Sequence, residues 1–123
     1  MEYKKLKITK GSGGWGGPLI IEPTEVKNKI VYITGGARPE VAVTIAELSG
    51  CELVDGFTRG VRDSEIACVI VNCGGTLRCG IYPQKKIPTV NILATGKSGP
   101  LAMFMKEDIY VSAVKSANIQ VIE

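Results

Sequence analysis

In the stretch VIVNCGGTLRCGIYP, residues 69–83, a cysteine stands where an apolar run stops and glycines begin. Cys73 is followed by Gly74, Gly75 and Thr76, then by Arg78 and Cys79, with Lys85 and Lys86 shortly after. A thiol in that setting can be half of a redox pair, a metal ligand, a buried packing residue or a nucleophile. A redox pair of the thioredoxin kind needs C-x-x-C, whereas five residues separate Cys73 from Cys79. The four cysteines (Cys51, Cys68, Cys73, Cys79) show no paired metal-binding spacing, and the chain has no histidine. The missing histidine also removes a Cys–His dyad and a Ser–His triad.

The segment ATGKSGP, residues 94–100, resembles part of a nucleotide-binding loop, but the first glycine of such a motif would fall at Asn91. It reads instead as a tight turn with one lysine, remote from the cysteine. Neither a nucleotide nor a metal or other cofactor is favoured by these residues.

The nucleophile makes the fuller use of its neighbours. A thiolate needs its negative charge stabilised, because an ordinary cysteine ionises only near pH 8.5. Backbone N–H groups of Gly74, Gly75 and Thr76 can turn inward as an anion-binding nest. Arg78 can fork onto phosphate oxygens, and Lys85 and Lys86 add positive charge. The competing reading is that Cys73 is a small buried hydrophobe, as most cysteines are.

Such a site must be carried by strands and helices. KIVYITGG (29–36) reads as a buried strand ended by glycines, and RPEVAVTIAELSG (38–50) as a helix with Val41, Ile45 and Leu48 on one face and Gly50 as its stop. CELVDGF (51–57) is a short strand, TRGVRDSE (58–65) a charged loop, and IACVIVN (66–72) the strongest strand signal in the chain. IPTVNIL (87–93) and NIQVIE (118–123) read as further strands, and residues 4–9 as an edge strand. Apolar spacing over 101–117 suggests a helix, with DIYVSAV as an alternative strand. KGSGGWGGPLIIEP (10–23) reads as a flexible turn with Trp15 packed as a lid.

Strands alternating with helices predict an α/β fold, a single domain with a mostly parallel sheet flanked by helices. In such sheets ligands bind beyond the carboxyl ends of the strands. Two loops, 32–39 and 70–83, each run strand, Gly-Gly, arginine, proline, and parallel strands would bring both to one edge.

The bulk composition excludes several classes. The chain has 123 residues, 45% apolar and 22% charged, with a net charge of +3 and 6% aromatics. That balance lacks the basic footprint and stacking surface of a nucleic-acid binder. The amino terminus, MEYKKLKITK, has no apolar core of a signal peptide, and no stretch approaches the length of a membrane helix. A cytoplasmic protein with reduced thiols is expected.

Over nearly its whole length the sequence resembles the glucitol/sorbitol-specific enzyme IIB component of the bacterial phosphoenolpyruvate:sugar phosphotransferase system. GSGGWGGPL, KIVYITGGARP, NCGGTLRCGIYPQKKIPTVNI, ATGKSGPLA and EDIYVSAVK carry the likeness in the same order. The resemblance implies that residues 1–123 are one enzyme IIB-type phosphocarrier domain. It implies a relay in which a phosphohistidine on enzyme IIA phosphorylates a cysteine here, and the phosphocysteine passes the group to a polyol bound by the membrane enzyme IIC. It therefore also implies work at the inner face of the cell membrane. Members of that family usually continue into a membrane-associated portion that residues 1–123 do not contain.

The placement of the cysteines favours Cys73 as the phosphocysteine, at the strand end before the nest, with Cys79 as the alternative behind Arg78. Cys51 and Cys68 occupy strand positions and are expected to be inert. Trp15 and Arg38 are the candidate partner contacts. The rival function is a non-catalytic anion-binding or regulatory module of the same fold.

Overall fold

The computed structural model describes residues 3–35, 38–56, 58–72, 74, 78–96 and 101–122, with Arg78 and Cys79 described for their backbone. Five strands form a wholly parallel sheet in the order β4-β3-β5-β6-β7, where β3 is Lys29–Ile33, β4 Glu52–Asp55, β5 Ile66–Val71, β6 Thr89–Asn91 and β7 Tyr110–Val111. Counted within this sheet the order is 2-1-3-4-5, so the direction of winding reverses between β3 and β5. That is the topological switch point at which open parallel sheets bind ligands.

Alternation along the strands divides the core in two. Ile30, Tyr32, Cys68, Ile70, Val90 and Val111 face one layer, and Val31, Val54, Val69, Val71 and Tyr110 face the other. β5 is buried along its whole length, which is why its sequence shows an unbroken apolar run.

Helix α1, Glu40–Ser49, crosses from β3 to β4 and buries Val41, Ala42, Ile45, Ala46 and Ser49. Leu48, placed on the apolar face by spacing alone, is 36% exposed. Gly50 ends the helix at φ 81°, and its N–H bonds the carbonyl of Ala46 at 2.9 Å.

A second, three-stranded antiparallel sheet covers the α1 side. Its order is β2-β1-β8, with β1 Leu6–Ile8, β2 Leu19–Ile21 and β8 Ile119–Val121. Leu6, Ile8, Leu19, Ile21 and Ile119 point into the core. The expected edge strand at residues 4–9 is thus the middle strand of this sheet, and the closing strand joins it rather than the parallel one.

Two other expectations are corrected. Over residues 101–117 the helix is not formed, and the alternative reading, a strand within DIYVSAV, is the one found. The segment makes a 3-10 turn at Ala102–Phe104 and then β7, after which Ser112, Ala113 and Val114 are also buried. Five consecutive buried residues suit an extended chain between two layers, not a helix with one wet face. Residues 78–84, read as loop, form helix α2, Arg78–Gln84, on the other face of the sheet.

The glycine-rich segment is not a loose turn. Residues 11–17 lie along the outer edge of β7, where Ser112 N–H donates to the Trp15 carbonyl at 2.9 Å and Gly17 N–H to the Glu107 carbonyl at 2.8 Å. Gly16 sits at φ 87°, and a Cβ there would collide with the carbonyl oxygen of Tyr110. A Cβ on Gly11 would likewise strike the Ala113 carbonyl oxygen. Backbone meets backbone here, and the open edge of β7 is covered.

Candidate functional site

At the switch point β3 and β5 run side by side, with Ile33 opposite Val71. Beyond that pair, the side-chain Nδ2 of Asn72 donates to the carbonyl oxygen of Thr34 at 3.4 Å. The chain following β3 and the chain following β5 are therefore tied at one edge, as the likeness of the two loops suggested. Arg38 is exposed two residues before α1, and Arg78 opens α2, so each strand leads through an arginine position into its helix.

On the other side of β5, β6 ends at Asn91 opposite Val71, and the amide of Ile92 donates to the Val71 carbonyl at 3.0 Å. Residues 92–96 therefore leave the sheet beside Asn72. The ATGKSGP segment, read as remote from the cysteine, begins in a loop at that same edge.

Of the expected site residues, Cys73, Gly75 and Thr76 lie outside the described residues, as do the side chains of Arg78 and Cys79. Gly74 is exposed, and among the described residues nothing stands within 4 Å of where its Cβ would be. No packing demand excludes a side chain there. Close approach of a ligand to bare backbone remains a use for glycine at that place.

Lys85 and Lys86 are not brought to this edge. They follow the far end of α2, a helix that rises about 10 Å along its axis. Lys85 Nζ is 3.3 Å from Asp63 Oδ2 and 5.9 Å from the centre of the Tyr82 ring. Asp63 belongs to the 3-10 turn leading into β5, at the opposite end of that strand from Asn72.

Cys51 and Cys68 are both buried. Burial pushes the Cys68 thiol far above its ordinary pKa and raises that of Cys51, although Ser49 and Lys29 oppose the shift at Cys51. At both positions burial disfavours the thiolate. Among the described residues no cluster of His, Cys, Asp or Glu could hold a metal ion, and no helix is long and apolar enough to cross a membrane.

Residues 5–123 match the model of a family described as "Sorbitol phosphotransferase enzyme II N-terminus". The chain belongs to that family. It is 59% identical over 114 residues to a curated Clostridium beijerinckii protein named "PTS system glucitol/sorbitol-specific EIIB component". The alignment covers 92% of this chain and 34% of that protein, so the chain spans about a third of its curated relative. No solved structure matches.

In this member of the family Trp15 borders the site at a distance. Its amide donates to Ser112 Oγ at 2.8 Å, and its ring centre is 6.2 Å from that of Tyr110. It packs half-buried on the outer edge of β7, three strand spacings and so about 14 Å from β5, close to Gly96. Asn72, Thr34 and Asn91 escaped the reading of the sequence. A signal was present: two strands of the sheet end in Val-Asn, Val71-Asn72 and Val90-Asn91, placing a carboxamide at each carboxyl end.

Proposed function

We propose that this chain is the phosphocarrier of a glucitol/sorbitol phosphotransferase system, working through Cys73. The Cys73 thiolate attacks the phosphorus of a phosphohistidine on enzyme IIA. The P–N bond breaks, its electron pair stays on the imidazole nitrogen, and an S–P bond forms. A hydroxyl of the polyol held by the membrane enzyme IIC then attacks the same phosphorus. The S–P bond breaks, the sulfur leaves as thiolate, and the hydroxyl proton passes to a base on the acceptor side.

The observation that carries this reading is the switch point between β3 and β5. Cys73 is the next residue after Asn72, which ties those two strand ends together. A thiol there needs little more from its own chain than positioning and charge stabilisation. Backbone N–H groups of Gly74, Gly75 and Thr76 supply a nest, and Arg78 supplies a fork for the phosphoryl oxygens. Lys85 is left out of that cradle because Asp63 already pairs with it. Arg38, exposed on the neighbouring loop, and Trp15, at the covered edge of β7, are the contacts assigned to the partners. With no histidine in the chain, the phosphohistidine must come from outside. The work is done at the inner face of the membrane, where enzyme IIC presents the polyol.

The test is incubation with phosphoenolpyruvate, enzyme I, the phosphocarrier protein and enzyme IIA. Labelling of this chain at a cysteine is expected. A chain that stays unlabelled while enzyme IIA is labelled would instead be a non-catalytic anion-binding or regulatory module.

A further inference from the structure

Asn91 and Tyr110 are both fully buried, and their polar atoms must find partners away from water. Asn91 closes β6 and Tyr110 opens the adjacent β7. The Asn91 Oδ1 accepts the amide of Leu93 at 3.0 Å, and its Nδ2 donates to the phenol oxygen of Tyr110 at 3.0 Å. The phenol in turn donates to the carbonyl of Thr95 at 2.6 Å. The carboxamide cannot be reversed without turning its NH2 onto the Leu93 N–H. Burial also pushes the phenol pKa up, with the side chains of Asn91 and Ser112 opposing the shift.

The chain leaving β6 is thus held at residue 93 and again at residue 95 by one buried pair. That chain starts beside Asn72, since Val71 is opposite Asn91 and bonded to Ile92. Neither residue is needed for the sheet itself, whose ladder is made by the backbone. A leucine and a phenylalanine would fill the same space without the bonds. Backbone bonds already hold Ile92 to Val71 and the Leu93 carbonyl to the Ala113 N–H at 2.9 Å, and what the polar pair adds is a second hold at the Leu93 N–H and the tie at the Thr95 carbonyl.

We infer that Asn91 and Tyr110 are positioning residues for phosphoryl transfer, holding the 92–96 loop as the β6-side wall of the phosphocysteine site. The inference rests on the reading of Cys73 given above. Tyr110→Phe keeps the ring and its packing against Trp15 while leaving Asn91 Nδ2 and the Thr95 carbonyl without the phenol oxygen. Asn91→Ser shortens the side chain so that it no longer spans Leu93 and Tyr110 together.

The experiment is single-turnover transfer from phosphorylated enzyme IIA to the full chain, measured over a range of donor concentrations. Both variants are expected to lose about tenfold in the rate at saturation, about 1.4 kcal/mol in the barrier, with an unchanged half-saturating donor concentration. If Tyr110→Phe does not fold, Asn91→Ser gives the same reading. A saturating rate within about twofold of wild type, counted per folded molecule, overturns the inference; so does a change confined to half-saturation. A wild-type chain that takes no phosphoryl group overturns the function and this inference together. Labelled wild type with an equally fast variant overturns the inference alone.

Discussion

Asn72 reaches across from the end of β5 to the carbonyl oxygen of Thr34 at the end of β3, joining the two strands between which the winding of the sheet reverses. At 3.4 Å the bond is long, and Asn72 is exposed, so it contributes little to global stability. Its effect is local, tying the first residue after β5 to the first residue after β3.

Asn72→Ala should therefore leave the fold within about 1 kcal/mol of wild type. Transfer to the cysteine should slow by roughly three- to tenfold, a loss of about 0.7–1.4 kcal/mol in the transition state. A thermal melt and a labelling time course measure the two effects separately. Unchanged labelling would show that the tie has no part in the site.

The two kinds of basic residue should separate cleanly. With Arg78 forking onto the phosphoryl group as proposed, Arg78→Ala should remove a charge-assisted bond worth about 1.5–3 kcal/mol, or roughly ten- to a hundredfold in rate. Lys85→Ala removes an exposed pair with Asp63, worth about 0–1 kcal/mol of stability, and a contact over the Tyr82 ring, and should leave transfer within about twofold. Labelling rates of the two variants under one set of conditions decide the matter. Equal losses would put Lys85 back into the phosphate cradle.

The glycines beside Trp15 should prove structural. Gly16→Ala forces a Cβ against the Tyr110 carbonyl at a backbone angle that L-residues rarely adopt. The variant should lose about 2 kcal/mol or more, a fall of several degrees in melting temperature. A Gly16→Ala protein that melts like wild type would mean the segment does not hold the edge of β7.

Much of this architecture could be read from the sequence because its signals are local. The unbroken run in β5, the helical spacing and glycine stop of α1, and the paired Gly-Gly-Arg-Pro loops each depend on neighbouring residues. The antiparallel sheet could not be read this way. Its three strands are three residues each, and Leu6-x-Ile8 or Leu19-x-Ile21 is too short to show a period. α2 was hidden by Gly80 and Pro83, both poor helix formers. In residues 11–17 the glycines suggested mobility, but what requires them is contact with the backbone of 110–113, a distant part of the chain. Lys85 looked like part of the site because it is near Cys79 in sequence, and only the course of α2 shows it pointing elsewhere. The wall at 92–96 needed strand order, which no single segment records.

The central claim is that Cys73 carries the phosphoryl group, and it is tested most directly by labelling two single variants with phosphorylated enzyme IIA. Cys73→Ser should accept no phosphoryl group while keeping the wild-type melting behaviour, because a serine hydroxyl offers no anion at neutral pH. Cys79→Ser should label as wild type does. A labelled Cys73→Ser protein beside an unlabelled Cys79→Ser protein would contradict the account.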